Sequence, residues 1–212
     1  SWLTIMKFSL KNNNILNSVN LHFFKNFWKS SISFYLDILD MFKFDKKKIF
    51  YSDHHLSHTL SAMFYSKRNE PKLSIVIDGY GDCDCSSIHL VKNSKQIYKI
   101  WNSPYPQSLG LFYTAVTDFL GFQINEGENK VMALAAYGKP IFYNELLKIV
   151  NFKNGNFFMD MNYFDFHKRL DRSFSEKFEK MFKIKSRTGA NSLDLKDSNF
   201  KIYANIASSA QK

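Results

Sequence analysis

The sequence has few cysteines and no long apolar run. Only Cys83 and Cys85 are cysteines among its 212 residues. Because only one residue separates them, a disulfide between them could not cross-link distant parts of the fold, which favours a reducing, cytoplasmic setting. No stretch approaches the ~18 apolar residues needed to cross a bilayer, so we expect no membrane partner. The first residues show no basic region followed by an apolar core, so we expect no secretion signal there.

The chain is strongly basic, but the excess charge lies away from the motifs. A net charge of +10 is typical of nucleic-acid-binding domains. Residues 1–50 hold 8 basic and 3 acidic side chains, and residues 141–212 hold 13 and 8, whereas residues 51–140 hold 8 of each. The excess is therefore spread over the flanks. Because the chain is also rich in Lys, Asn, Ile and Phe throughout, compositional drift explains much of the charge, and we do not expect a nucleic-acid partner.

The order of the predicted elements indicates a single α/β domain with a mixed sheet. There are no internal repeats and no low-complexity linker. Asp53 is a suitable N-cap for the second predicted helix. The predicted helices cover residues 15–44, 54–66, 108–120, 130–137, 172–184 and 198–212.

Strands are predicted from apolar runs and turn residues. Residues 46–53 predict a short strand, and the continuous run Leu73–Ile77 predicts a strand buried on both faces. The two glycines within residues 78–82 predict a tight turn after that run. Residues 86–91 and 96–101 alternate around residues 92–95, and residues 152–160 surround Asn-Gly, so each region predicts a hairpin.

Three of the six histidines fall within residues 54–58. On a helix, His54 and His58 lie on one face with Cβ atoms ~6 Å apart, and both imidazoles can bind one metal ion at ~2.1 Å. Zinc proteases with this spacing have a glutamate after the first histidine, where this chain has His55, so a protease would lack its general base. The alternative is ordinary hydrogen bonding at a histidine-rich helix start, and spacing alone leaves the two almost equally favoured.

Asp78 follows the buried run and is a candidate third metal ligand. An aspartate at the C-terminal end of a central strand lies where α/β proteins place their sites. Gly79 and Gly81 would let a phosphate or a metal-bound group approach the backbone closely. The alternative is a plain β-turn, because Asp-Gly is a common turn dipeptide.

A third polar cluster precedes the helix predicted over 130–137. Glu126, Gly127, Glu128 and Lys130 could hold a polar substrate, since a helix start favours anions. The alternative, a solvated loop with an N-capped helix, is favoured by composition alone. Cys83 and Cys85 lack the second cysteine pair of a zinc knuckle.

Taken together, these segments resemble the carbamoyltransferases of the nodulation and antibiotic-tailoring type (NodU/CmcH). The resemblance lies in HHLSHTLSAMF, LSIVIDGYGD and SLGLFYTAVTDFLGFQINEGENKVMALAAYGKP. Order and spacing agree over about 51–140, and the last segment is long and highly specific. The closing IYANIASSAQK also resembles a later helix of that domain.

The resemblance implies a partial actin-like ATPase (ASKHA-type) fold over residues 1–212. It also implies transfer of a carbamoyl group from carbamoyl phosphate, through an ATP-derived carbamoyl-adenylate, to a hydroxyl or amine. The acceptor would be a small molecule such as a sugar or an antibiotic. A divalent metal, iron or alternatively zinc, would be bound by His54, His58 and Asp78.

The same resemblance suggests further site residues. Asp78, Gly79 and Gly81 would lie against the nucleotide, and we assign Glu126 and Gly127 to the same role.

Two residues are candidates for a direct catalytic role. Lys130 or His55 could assist electrostatically or as a base.

The sequence also departs from the family pattern. A phosphate loop with glycine and histidine near the start, the second half of the actin-like domain and the adenylate-forming domain are all missing from these residues. Asp82 stands where glutamate is common. We therefore expect an internal piece of a longer enzyme. Two alternatives remain: threonylcarbamoyl transfer to tRNA, which residues 108–140 oppose, and a non-catalytic metal- or nucleotide-binding remnant.

Overall fold

The computed structural model describes residues 41–43, 45, 52–66, 70–93, 96–169, 171–187 and 195–212. The helix predicted over 15–44 lies outside these residues except for its last few positions, and so does most of the strand predicted over 46–53. Among the described residues, no helix is both long and apolar enough to cross a membrane.

A three-stranded sheet organises the first part of the described chain. Its strands are β1 (Lys72–Gly81), β2 (Asp84–Asn93) and β3 (Gln96–Pro104), adjacent in chain order. The hairpin of β2 and β3 was predicted and is confirmed. Both pairs of strands are antiparallel, so the predicted mixed sheet is wrong for the described residues. Short turns join these strands, and a parallel pair would need a long crossover.

Strand β1 is covered on one face only, so the prediction that it is buried on both faces is wrong. The side chains of Leu73, Ile75 and Ile77 are 63%, 66% and 58% exposed, whereas Val76 is 8% exposed. Helix α1 (His54–Phe64) covers the other face, where the Ser74 hydroxyl donates to Thr59 Oγ1 at 3.1 Å. An apolar run indicates a strand, but it does not indicate which faces of that strand are covered by other elements.

The predicted turn at residues 78–82 is displaced towards its C-terminal end. Strand β1 continues through Gly81, with an irregular register between Ile77 and Gly81. The turn is made by Asp82 and Cys83, and Asp82 has a φ of 55°. Aspartate tolerates this left-handed conformation better than most residues because its short side chain can make local hydrogen bonds.

Five helices and a small hairpin form the second part of the described chain. The helices are α2 (Leu109–Phe119), α3 (Glu128–Ala135), α4 (Tyr143–Ile149), α5 (Glu176–Phe182) and α6 (Phe200–Gln211). All but α4 were predicted, with ends displaced by two to four residues at most positions.

The predicted second hairpin is confirmed. Strands β4 (Val150–Lys153) and β5 (Asn156–Met159) are joined by Asn154 and Gly155, whose φ angles are 53° and 74°. Positive φ at both central residues is the requirement of a type I′ turn.

The helices enclose a core dominated by phenylalanine. Phe119 is fully buried, and its ring lies 5.3–5.6 Å from those of Phe174, Phe178 and Phe182. Full burial of one such side chain contributes about 1.5–3 kcal/mol. Helix α2 therefore rests on this core while its first turn contacts β1.

Candidate metal centre

Helix α1 carries the histidines on two neighbouring stripes. His55, Thr59 and Met63 are buried against the sheet, whereas His54 and His58 are exposed one turn apart. Residues four apart share a face of a helix, so each stripe repeats at that interval. Of the three histidines in the motif, His55 therefore packs against the sheet, whereas His54 and His58 are available to form a site.

The start of α1 is held by two carboxylates. Asp53 Oδ1 accepts a hydrogen bond from the Leu56 N–H at 2.8 Å, which confirms the predicted N-cap. Asp82 Oδ2 accepts from the His54 N–H at 2.9 Å. The second bond joins the helix to the β1–β2 turn, a contact that the sequence did not predict.

His54, His58 and Asp78 converge on one point beside the end of β1. His54 Nε2 lies 2.8 Å from Asp78 Oδ2 and 3.1 Å from His58 Nε2, and His58 Nε2 lies 3.6 Å from Asp78 Oδ2. Within the residues that the structure describes, these three form the one His/Cys/Asp/Glu group with metal-binding geometry. The structure thus brings together all three predicted ligands.

This donor set fits a divalent transition metal. Adjacent ligands of an ion with bonds of ~2.1 Å stand roughly 3 Å apart in octahedral geometry and about 3.4 Å apart in tetrahedral geometry, which matches the observed separations. Two imidazoles and one carboxylate on one side of an ion suit iron(II), and the same ligand types suit zinc.

The Asp78 carboxylate is oriented by its own backbone. Its Oδ1 accepts from the Gly79 N–H at 2.6 Å, which leaves Oδ2 facing the histidines. The Ser108 hydroxyl, which caps α2, donates to the Gly79 carbonyl at 2.6 Å. Gly110 brings the first turn of α2 against the Asp78 carbonyl, where a Cβ would come within 2.6 Å of the oxygen. Contacts with the start of α2 therefore hold the end of the strand that carries Asp78 in place.

Gly81 allows the close approach of α1 to β1. A Cβ at this position would overlap the imidazole of His54 and come within 2.9 Å of His55 Cδ2. Gly81 was predicted to help form a turn and to contact a nucleotide. In the structure, the missing side chain leaves space for the ring of His54, a candidate metal ligand, and the contact with a nucleotide stays a prediction.

His55 lies on the buried face of α1, with its ring centre 5.9 Å from that of His54, and it is not one of the three candidate ligands. Its side chain is 1% exposed, and Nδ1 lies 2.8 Å from Ser87 Oγ. Burial lowers the pKa of His55, which favours the neutral imidazole. The catalytic role suggested from the sequence stays a prediction, and the observed contacts are those of packing.

The rest of this buried layer is also polar. Thr59 Oγ1 and Ser87 Oγ lie 3.3 Å and 3.4 Å from His89 Nδ1. His89 is 2% exposed. Together with Ser74 and His55, these side chains form what we call the polar layer between α1 and the sheet.

Lys99 links the sheet to the start of the helix. Its ammonium group lies 2.6 Å from Asp84 Oδ2 and 3.7 Å from Asp53 Oδ2. The hydrogen bond to Asp84 raises the pKa of Lys99. Asn102 donates to the other Asp84 oxygen at 2.7 Å. Apart from Asp53, which was predicted as an N-cap, none of these residues was singled out from the sequence.

An open cleft of about 490 Å³ lies beside the candidate ligands. Its lining from the strand and from α2 includes Asp78, Gly79 and Tyr113. From the polar loop it includes Asn125 and Glu128, joined by a 3.0 Å hydrogen bond from the Asn125 N–H to Glu128 Oε1.

The other predicted residues of this loop do not line the cleft. Glu126 and Lys130 are exposed, and Gly127 is buried against Phe122 and Gln123. Glu128, rather than Glu126, is the carboxylate that this loop places in the cleft.

Comparisons with known proteins agree with the motifs. Residues 6–211 match the family described as Carbamoyltransferase N-terminus. The chain is 36% identical over 104 residues to the nodulation protein NolNO of Sinorhizobium fredii and 39% identical over 94 residues to the nodulation protein NolO of Bradyrhizobium diazoefficiens. These matches cover 49% and 44% of this chain. An uncharacterized protein of Synechocystis sp., sll1178, is 34% identical over 140 residues, or 65% of this chain.

The matched regions make up 22%, 15% and 17% of the Synechocystis, Sinorhizobium and Bradyrhizobium proteins. The chain thus corresponds to a minor part of each relative. Because the family match extends over nearly all of its residues, the chain belongs to the carbamoyltransferase family, in the region that forms the N-terminal part of its members.

Proposed function

We propose that this chain contributes the metal-binding part of a carbamoyltransferase. The enzyme would transfer a carbamoyl group from an ATP-derived carbamoyl-adenylate, made from carbamoyl phosphate, to a hydroxyl or amine of a small-molecule acceptor. The observation that carries the proposal is the convergence of His54, His58 and Asp78 in a chain of this family. We further propose a partial actin-like ATPase fold and a cytoplasmic location.

The three ligands would hold one divalent metal, iron or zinc, at the edge of the cleft. Such an ion, when bound next to an acyl phosphate, acts as a Lewis acid and stabilises charge on the leaving group. Asp78 also lines the cleft, so one carboxylate both completes the ligand set and borders the space for substrate. His54 and His58 would bind the same ion from α1, whereas Asp78 would bind it from β1.

The cleft would position the acyl donor and the acceptor. Gly79 leaves the strand backbone accessible, and Tyr113, Thr114 and Glu128 supply polar groups on the other wall. Holding two reactants in a fixed orientation supplies a large part of the rate enhancement of a group transfer. Glu128 is a suitable acceptor of a hydrogen bond from the incoming hydroxyl or amine.

Threonylcarbamoyl transfer to tRNA is the weaker alternative. Residues 51–140, which include the ligands and the cleft, hold 8 basic and 8 acidic side chains. A tRNA phosphate backbone would be expected to require a basic surface there.

The metal centre is tested by elemental analysis of the purified chain. We expect about one iron or zinc ion per wild-type chain, and at least tenfold less in His54→Ala and His58→Ala, since each removes a ligand. His167→Gln is the matched control and should keep the wild-type content. Wild-type protein without metal, or unchanged content in both alanine variants, would contradict the proposal.

Because the adenylate-forming domain is missing from these residues, the transfer reaction is tested in an enzyme that joins this chain to the rest of a family member, with ATP, radiolabelled carbamoyl phosphate and a panel of sugars and amines. A labelled acceptor whose formation is lost in Asp78→Ala supports the proposed enzyme. Metal binding without any labelled product would instead support a non-catalytic metal-binding protein.

A further inference from the structure

We infer that Asp82 is a positioning residue that sets the distance between the two halves of the metal centre. Two ligands lie on α1 and the third lies on β1, 24 positions away from His54 in the sequence. Their convergence therefore depends on how the helix start is held against the strand end. This inference rests on the proposed metal centre.

Asp82 makes a direct bond between these two elements. Its Oδ2 accepts from the backbone N–H of His54, the first residue of α1, at 2.9 Å. Asp82 is also the first residue after β1, four positions beyond Asp78. A charged acceptor at a helix start makes a stronger hydrogen bond than a neutral one. Its negative charge also interacts favourably with the positive end of the helix dipole.

Asp82 acts through this bond and is not itself a ligand. The described metal-binding group consists of His54, His58 and Asp78, and the Asp82 oxygen is directed at the helix backbone instead. Asp82 has a φ of 55° in the turn between β1 and β2, and its carboxylate faces the start of α1.

Asp53 provides a natural comparison. It also caps α1, but its hydrogen bond to the Leu56 N–H at 2.8 Å lies within three residues of sequence, and it reaches the sheet only through the longer, partly exposed ion pair with Lys99 at 3.7 Å. Asp82 belongs to the neighbouring strand and turn. Loss of the Asp53 cap should weaken the helix, whereas loss of the Asp82 bond should let the histidines drift from Asp78.

The left-handed backbone also gives a clean set of variants. Asp82→Asn keeps an acceptor oxygen and tolerates this conformation. Asp82→Gly removes the acceptor without adding backbone strain, because glycine adopts positive φ freely. Asp53→Ala removes the local cap. All three are compared with wild type by titrating Zn²⁺ into metal-free protein, by the visible spectrum of the Co²⁺ form, and by the melting temperature of the metal-free form.

We expect Asp82→Gly to bind Zn²⁺ about 10- to 100-fold more weakly, the range typical of residues that orient metal ligands, and to change the Co²⁺ spectrum. Asp82→Asn should bind Zn²⁺ with an affinity between those of wild type and Asp82→Gly, because it keeps an acceptor oxygen for the His54 N–H but a neutral one. Asp53→Ala should lower the melting temperature while its Zn²⁺ affinity and Co²⁺ spectrum remain close to those of wild type.

The outcomes separate this inference from the metal centre itself. If Asp82→Gly lowers the melting temperature but leaves Zn²⁺ affinity and the Co²⁺ spectrum unchanged, Asp82 is a structural cap only and the inference is overturned. The metal centre still stands in that case, provided that wild type binds Zn²⁺ and His54→Ala does not. If wild type binds neither metal ion, both the centre and the role of Asp82 are refuted.

Discussion

The two buried regions of this protein are built from opposite kinds of side chain. The helices pack on phenylalanines such as Phe119 and Phe178, both fully buried. Helix α1 packs on the sheet through His55, Thr59 and Ser87, which are equally buried. Apolar contacts are non-directional, whereas hydrogen bonds are satisfied in few arrangements.

This difference assigns a separate task to each region. The aromatic core supplies stability and supports α2, whose first turn fixes the backbone at Asp78. The polar layer fixes the orientation of α1 and hence of His54 and His58. The proposed metal centre takes its candidate ligands from two elements and needs both regions, because its geometry must be stable and also unique.

The largest effect is expected from a cavity in the aromatic core. Phe119→Ala should lower the free energy of unfolding by about 3–5 kcal/mol, because it removes a fully buried ring and leaves a void. Urea unfolding measures this change. Phe152→Ala is the matched control: Phe152 is 67% exposed, so its loss should cost less than about 1 kcal/mol. Equal costs at the two positions would show that the ring contacts of Phe119 contribute little.

A smaller effect is expected from breaking the polar layer. Ser87→Ala leaves His55 Nδ1 without its 2.8 Å partner, at a cost of about 1–3 kcal/mol for a buried polar group. This change should weaken metal binding more than Phe119→Ala does, because α1, which carries His54 and His58, loses a directional contact with the sheet. Urea unfolding and Zn²⁺ titration measure the two quantities. A lower stability with unchanged metal affinity would contradict the distinction between the regions.

The smallest expected effect is a difference between the two cysteines in their rate of chemical modification. Cys85 is fully buried, and burial raises its pKa to about 12, so at pH 8 it is a protonated, inaccessible thiol. Cys83 is half-buried in the turn. A thiol reagent at pH 8 should therefore modify Cys83 faster, and Cys85 only in denaturant, as peptide mass spectrometry can show. Rapid modification of Cys85 in the folded protein would mean that this side of the sheet opens readily.

Local signals predicted the elements whose causes are local. Asp53 was recognised as a cap because it needs only the next three residues. Asn154 and Gly155 gave the hairpin because both tolerate positive φ. The members of the cluster that could hold a metal were also singled out: His54 and His58 by spacing, and Asp78 by its position after an apolar strand; their role as ligands stays a prediction.

Contacts between distant residues were not accessible in this way. Nothing in the run Leu73–Ile77 shows that one face would be exposed. The roles of Asp82 and Gly81 depend on α1, which lies nearly 30 positions earlier. Likewise, the polar loop was recognised in the sequence, but only its position in the folded chain shows that Glu128, and not Glu126, lines the cleft.

The sequence by itself determined the family, the helix that carries paired histidines and the identity of the three candidate ligands. Residue type and spacing are sufficient for these, because chemistry and helical periodicity are properties of short segments. Tertiary structure alone decided that the ligands meet and that His55 is buried among serine, threonine and histidine side chains. It also decided that Asp82 accepts a hydrogen bond from the start of α1 and that Gly81 leaves space for the ring of His54. These facts depend on how two elements pack, and packing is fixed by contacts that no single segment contains.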